Sequence, residues 1–253
     1  MRDLDAYQRE YGNLPFEESQ ARYRKRRIIE SIAKYRPRSI LEVGCGLDPL
    51  FNHYRGYERC TIVEPGDEFV RNARECARAL EGITIVHGSL ERNVAILSAT
   101  PYDFVVLSSL LHEIPDSKNL LDATARLCGP GTIVHVNVPN ARSIHRLLAV
   151  EMGLNQSVYE RSQTQQRMQQ SQTFDADSLA ALVSQSGFEI VEQGTFFIKP
   201  FTHAQMASLQ TSGMLTEPML EGLYKLSKHF PENGSEIFMD LKLRARQCSN
   251  TFP

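Results

Sequence analysis

A chain of 253 residues that is 42% hydrophobic and 23% charged has the length and apolar content for one globular domain with a sizeable core. Its net charge of -2 argues against a nucleic-acid footprint spread over the surface. Its five cysteines (Cys45, Cys60, Cys76, Cys128 and Cys248) form no CxxC pair, which argues against a zinc knuckle or a disulfide framework. The opening MRDLDAYQREYGN has no apolar signal segment and no stretch approaches the roughly 18 residues of a membrane span, so a cytoplasmic protein is expected.

The first predicted element is a helix over 17–36, with Ile28, Ile29, Ile32 and Ala33 on one face and Pro37 marking the next element. Short apolar runs then alternate with helical patterns. The runs are 39–43 (SILEV), 60–63 (CTIV), 83–87 (ITIVH), 103–107 (DFVVL) and 132–138 (TIVHVNV), and the helices between them cover 49–55, 67–80, 91–98 and 117–127. Alternation of this kind predicts a doubly wound α/β fold with a parallel sheet and right-handed crossovers. CGPGT at 128–132 reads as a helix stop leading into a strand. Beyond 138 the alternation breaks. Residues 141–172 include the Gln-rich RSQTQQRMQQSQ, read either as an exposed helix or loop or as a lid. TFDADSLAALVSQSGFEIV resumes the pattern with Thr173 or Asp175 as N-cap, a helix, Gly187 as C-cap and a strand. A further insertion at 199–232 precedes SEIFMDLKL, a closing strand.

The run SILEV stops at a glycine pair. Gly44 and Gly46 fit the first two places of the dinucleotide fingerprint GxGxxG, but Pro49 stands in the third, where glycine lets a helix pack beneath a pyrophosphate. Glu42, just before the turn, repels a pyrophosphate and attracts an ammonium group. Glu64, in TIVEPG, lies roughly 20 residues past the turn, where an acid takes ribose hydroxyls. A ribose, a positive amino group and no phosphate together describe S-adenosylmethionine. HGSL (87–90) then falls at the end of the third strand, where Ser89 and the Leu90 backbone N–H suit an adenine edge.

From about 38 to 196 the chain resembles the class I S-adenosylmethionine-dependent methyltransferases of the bacterial small-molecule type. LEVGCG is similar to that family's first motif, VEPG to its ribose-binding acid and GSLE to its adenine loop. YDFVVLSSLLHEIPD resembles the fourth-strand motif, and CGPGTIVHVNVPN the fifth strand with its preceding turn. The resemblance implies a Rossmann-like, mostly parallel seven-stranded sheet, with SEIFMDLKL as the antiparallel strand beside 188–196. The whole chain, 1–253, would be one domain with a helical cap at 1–36 and lid insertions at 141–172 and 199–232. It also implies that Glu42, Gly44, Cys45 and Gly46 cradle the methionine part and that Glu64, with Pro65, takes the ribose. Gly88, Ser89 and Leu90 would border adenine, and Ser108 would lie near the cofactor. Two positions depart from the family pattern: Asp48 replaces the third glycine of the first motif, and Ser89 replaces the commoner acid of the adenine loop.

Methyl transfer to a hydroxyl or an amine requires a proton to leave the acceptor, and His112 in LLHEIPD is the candidate base, with Glu113 orienting it or acting itself. The other reading of this pair is a wall of the cofactor pocket. Asn137 and Asn140 end the fifth strand and either bind a polar acceptor or cap the following loop. His145 and His203 lie in the insertions and read as surface or packing residues, although Lys199, His203 and Gln205 in IKPFTHAQM also suit an acceptor contact. From Arg22 to Arg38 the first helix carries eight Lys or Arg against one acid, Glu30. Such a run reads as a solvated helix face or, near the cofactor mouth, as a site for an anionic acceptor, phosphorylated or nucleotide-linked, touched by Tyr7, Tyr11, Arg22 and Arg26. Basic residues among aromatics also suit RNA, which the near-neutral total charge disfavours.

The reading from sequence is a methyltransferase of a small polar metabolite, oxygen favoured over nitrogen, needing no metal and free to form a homodimer. The rivals are an NAD-dependent oxidoreductase, disfavoured by Pro49, Glu42 and the absence of a Tyr-x-x-x-Lys pair, and an inactive cofactor-binding relative acting as a partner subunit.

Overall fold

The computed structural model describes residues 15–245. Its first element is helix α1, Glu17–Tyr35. Ile28 and Ile32 are fully buried, and each such side chain contributes about 1.5–3 kcal/mol. Ala33, expected on the same face, is exposed: it lies about 100° round the helix from Ile32, past the edge of the buried stripe.

Seven strands form one sheet in the order β3-β2-β1-β4-β5-β7-β6. They are β1 (Ser39–Val43), β2 (Arg59–Glu64), β3 (Ile83–His87), β4 (Tyr102–Ser108), β5 (Cys128–Pro139), β6 (Phe188–Phe196) and β7 (Glu236–Leu243). Strands β1 to β5 pair in parallel, while β7 runs antiparallel between β5 and β6, as the sequence leads one to expect. The connecting helices are α2 (Asp67–Ala77), α3 (Leu90–Leu97), α4 (Ser117–Ala125) and α7 (Ala176–Gln185). Two shorter ones, α5 (Ile144–Glu151) and α6 (Gln163–Arg167), lie in the first insertion, and α8 (His203–Thr211) and α9 (Glu217–Leu226) in the second.

Two predicted features differ. The helix expected over 49–55 is a single 3₁₀ turn, Leu50–Asn52, entered from an extended Pro49 (φ -58, ψ 145), and the chain then leaves for β2. CGPGT does not end a helix outside the sheet but opens β5. Between the pairs Tyr102↔Cys128 and Phe104↔Ile133 the register shifts, and Thr132 Oγ donates to the Tyr102 carbonyl at 2.6 Å while accepting the Gly129 N–H. Asp175, one of the two residues named for the role, caps α7 by accepting the Ser178 N–H at 2.9 Å.

Alternation along the strands gives the sheet two unlike faces. Leu41, Val43, Val105, Leu107, Val134, Val136 and Val138 meet α3, α4 and α7 in the main apolar core. The opposite face is apolar around Ile40, Phe104 and Ile133, where Ile28 and Ile32 dock. On β5 and β7 it turns polar: His135 Nδ1 lies 2.7 Å from Asp240 Oδ1, and Ser31 of α1 donates to both Asp240 oxygens at 3.2 and 2.9 Å. His135 and Asp240 are wholly buried. An aromatic cluster of Phe16, Tyr23, Phe197, Tyr224 and Phe238 joins α1 to α9 and the sheet's outer strands.

Burial works against the charge of Asp240, but its bonds to His135 and Ser31 hold the carboxyl below the ordinary carboxylate range. A depressed folded value means that the stabilisation is fully present above the unfolded value and is lost as pH falls through the folded one. Asp240→Ala is therefore expected to cost about 3 kcal/mol in urea unfolding near neutrality. The cost should shrink as the pH drops below about 4, the ordinary carboxylate value.

Candidate active site

The parallel strands end at one edge of the sheet, and the order reverses between β1 and β4, where α/β sheets open a crevice. The structure gathers Glu42, Gly44, Cys45, Gly46, Glu64, Pro65, Gly88, Ser89, Leu90, Ser108, His112 and Glu113 along that edge, with Asn137 and Asn140 beside them. After β1, Gly44 and Gly46 take φ of +75° and +57°, a region that a Cβ disfavours. A Cβ on Gly44 would meet only Leu110 at 3.5 Å, so conformation rather than space requires glycine there.

Glu42 and Glu64 are both buried behind this turn. Glu42 Oε2 accepts the Leu50 N–H at 2.8 Å, and Lys25 Nζ lies 3.4 Å from its Oε1 while donating to the Asp48 carbonyl. The ammonium that Glu42 holds is thus a side chain of α1, which the sequence did not disclose. Glu64 Oε1 accepts the Gly66 N–H at 2.8 Å, its Oε2 has a long contact of 3.4 Å from the Gly46 N–H, and the Cys45 N–H also acts on the carboxylate. Burial pushes the Glu64 carboxyl up against the backbone donors that hold it down. Burial likewise pushes the Cys45 thiol up, reinforced by Glu42 and Glu64, so Cys45 is no nucleophile. Pro65 is exposed, Leu90 buries its side chain, and Ser89 precedes α3 without capping it through its hydroxyl.

Past β4, Ser109 takes φ of +52°, a left-handed conformation rare for a residue with a Cβ, and gives its N–H to the Asn137 carbonyl at 2.9 Å. His112 and Glu113 are buried with Nε2 and Oε1 3.8 Å apart, too far for the hydrogen bond by which Glu113 was to orient the ring. The His112 carbonyl accepts the Ser171 and Gln172 N–H groups, so this residue fastens the Gln-rich segment to the site. His112, Asn140, Arg146 and Gln172 border a cavity of about 20 Å³, room for one water.

The basic helix is not an open cationic surface. Arg22 pairs with Glu217 at 2.8 Å, and Arg26 with Glu221 at 2.6 Å and Glu30 at 3.0 Å, where it also stacks over Tyr224. Lys34 pairs with Glu192, and Arg24 with Glu236 and Glu17. These exposed pairs make Arg22 and Arg26 bridges from α1 to α9, and the two arginines line a cavity of about 440 Å³ together with Tyr23, Glu217, Pro218 and Glu221. Asn140 is corrected to a loop cap, since its Nδ2 serves the Glu232 and Gly234 carbonyls and its Oδ1 takes the Arg142 N–H. Tyr7 and Tyr11 lie outside the described residues.

A second cluster lies farther along the edge. Glu236, at the start of β7, accepts three hydrogen bonds from Arg24, one from Gln20 at 3.0 Å and one from Asn137 at 2.9 Å. Because a carboxylate only accepts, both amides must turn their NH₂ toward it. Their carbonyl oxygens then point away, buried and without a hydrogen-bond partner. Lys199, just past β6, is buried and donates to His203 Nδ1 at 3.0 Å. Burial lowers Lys199 to about 7, with Glu17 and Glu236 opposing and Arg24 and Arg146 adding to the shift. Burial first, then Lys199, lowers His203 to about 3, so its ring is the neutral acceptor in this pair. Sequence reasoning missed Gln20, Arg24 and Glu236. The signal was there: Glu236 and Asp240 share one strand face with Phe238, opposite a basic helix.

Among the described residues no group of three or more His, Cys, Asp or Glu could hold a metal, and no helix is long and apolar enough to cross a membrane. The methyltransferase-domain family profile matches residues 18–193. No curated protein matches the chain. Solved structures share its fold at low identity. A methyltransferase bound to its Trm112 activator, from Haloferax volcanii, is 12% identical with a TM-score of 0.62, over 97% of this chain and 100% of that one. The plantazolicin methyltransferase BamL is 12% identical with a TM-score of 0.56, over 90% and 91%. The N-methyltransferase NodS from Bradyrhizobium japonicum is 10% identical with a TM-score of 0.54, over 88% and 87%.

Glu236→Ala would leave the Arg24 guanidinium facing an emptied buried site. A loss of about 3–5 kcal/mol in urea unfolding is expected, against under about 1 kcal/mol for Glu217→Ala at the exposed Arg22 pair.

Proposed function

The chain belongs to the methyltransferase-domain family, and we propose that it methylates a hydroxyl group of a small, uncharged polar metabolite. It is an S-adenosylmethionine-dependent enzyme. The residues present fit that cofactor: two buried carboxylates and a left-handed glycine turn suit a cation-bearing nucleoside and repel a pyrophosphate. In this reading Glu64 takes the ribose hydroxyls through its under-used Oε2, and Gly44, Cys45, Gly46 and Glu42 cradle the amino-acid end. Gly88, Ser89 and Leu90 border the adenine, and Ser108 closes the side toward β4.

When bound, the cofactor supplies a methyl group on positively charged sulfur. The chain's own residues must align the acceptor, worth up to about 7–11 kcal/mol, and accept its proton, worth about 10²–10⁴-fold. The observation that carries the choice of acceptor is the pair of buried Lys199 with half-buried His203, beside the unpartnered carbonyl oxygens of Asn137 and Gln20. Those oxygens take donor groups of the acceptor molecule and orient it. Lys199, lowered by burial to about 7, would receive the acceptor's hydroxyl proton on Nζ. His112 and Glu113 serve as the wall between cofactor and acceptor, with the His112 carbonyl holding the lid segment over it. The pairing of Arg22 and Arg26 with Glu217 and Glu221 favours an uncharged over an anionic acceptor.

Glu64→Ala is expected to weaken S-adenosylhomocysteine binding about 10- to 100-fold by calorimetry, with NADH unbound throughout. Unchanged affinity would refute the ribose role. Across a panel of hydroxyl, amine and carboxylate acceptors with radiolabelled cofactor, hydroxyl compounds should turn over, and the rate should rise with pH through about 7 as Lys199 loses its proton. Lys199→Met should remove that limb and about 10²–10⁴ of the rate without altering S-adenosylhomocysteine affinity. A protein that binds the cofactor but methylates nothing on the panel is instead the inactive partner subunit.

A further inference from the structure

We infer that Glu236 is a positioning residue of the acceptor site: it turns the carbonyls of Asn137 and Gln20 away from itself, so that the site reads hydrogen-bond donors. This rests on the acceptor site proposed around Lys199. The buried Glu236 carboxylate takes N–H groups from Arg24, from Gln20 at 3.0 Å and from Asn137 at 2.9 Å. The Gln20 amide nitrogen also donates to Ser235 Oγ at 2.9 Å, so both of its hydrogens are used. An ionised carboxylate has no proton to give, and neither amide can present its carbonyl to it. Asn137 Oδ1 and Gln20 Oε1 are left buried and without a partner, one on β5 and the other on α1. Such an oxygen costs about 1–3 kcal/mol until a donor reaches it. An acceptor molecule with hydroxyls beside the reacting one supplies those donors.

Glu236 also acts on Lys199. The charged and titratable groups that face this lysine are Glu17 and Arg24 from α1, Glu236 from β7, His145 and Arg146 from α5 and His203 from α8. Glu17 and Glu236 favour its ammonium, while burial, Arg24 and Arg146 oppose it. Removing the Glu236 charge therefore lowers Lys199 further, and the lysine loses its proton at lower pH. One carboxylate thus sets both the polarity of the amides and the protonation of the base. The competing account is that Glu236 is a strut that fastens Arg24, and with it α1, to β7. A strut acts on stability and leaves the affinity for the acceptor alone.

Glu236→Gln separates the two accounts. Its carboxamide keeps an oxygen for Arg24 but sets an NH₂ against one of the two amides, which must then turn its own NH₂ toward the acceptor. The full chain is assayed with the hydroxyl compound that turns over fastest on the acceptor panel as the probe. Glu236→Gln should raise the KM for that compound about 10-fold and leave S-adenosylhomocysteine affinity within about 2-fold. The rise of rate with pH, near 7 in the wild type, should move to lower pH. Glu236→Asp keeps an acceptor-only carboxylate and should restore most of the KM. An unchanged KM, or a pH profile that does not move, overturns the inference. If Glu236→Gln fails to fold, the wild type decides by two measurements. NMR couplings across the hydrogen bonds from both amide nitrogens to the Glu236 carboxyl carbon should be present, and converting a neighbouring hydroxyl of the probe to its methyl ether should cost about 10-fold in kcat/KM. Absence of either result overturns the inference. A panel on which nothing turns over, with S-adenosylhomocysteine still bound, sinks the acceptor site itself and this inference with it.

Discussion

The polar face that β5 and β7 turn toward α1 is the constraint on which the rest of the structure depends. Inserting β7 antiparallel beside β5 carries two acids, Glu236 and Asp240, onto the same face as His135 and Asn137. Buried carboxylates must be neutralised or hydrogen-bonded. Helix α1 supplies what they need: Gln20 and Arg24 at Glu236, Ser31 at Asp240 and, on β1 three strands from β7, Lys25 at Glu42. Its docking is therefore set by directional bonds at fixed positions, supplemented by Ile28 and Ile32 at its apolar end. A helix held in this way has one register against the sheet.

That register places α1 across both halves of the site. Lys25 reaches the glycine turn after β1, while Gln20 and Arg24 reach the edge of β5 and β7, where Lys199 and His203 lie. The Gln-rich segment is tied to the same edge through the His112 carbonyl, and Arg146 of α5 fastens its loop by bonds to the Val158 and Glu160 carbonyls. A cavity of about 20 Å³ beside His112 lies between this segment and the loop after β5.

Strand alternation, the glycine turn and the acid ending β2 were legible in the sequence because each is a local consequence of local residues. The period of two, the left-handed glycines and the strand-end position of Glu64 need no tertiary knowledge. The role of the basic helix was not legible, because charge count does not reveal partners. Arg22 and Arg26 meet acids almost two hundred residues away, on α9. Asn140 was undecidable for the same reason: only the returning loop at Glu232–Gly234 shows that its amide is used up. Pro49 was read correctly as excluding a third glycine, yet the helix drawn after it is one turn, Leu50–Asn52, before the chain enters β2.

The most direct test of this account is hydrogen exchange of the intact protein with and without S-adenosylhomocysteine. Slowed exchange at the glycine turn, at Glu64–Gly66 and Gly88–Leu90, and along α1 around Lys25 is the result expected from a helix that walls the cofactor site. Slowing of the turn with α1 unchanged would contradict the role given to that helix. No slowing at the turn would contradict the placement of the cofactor.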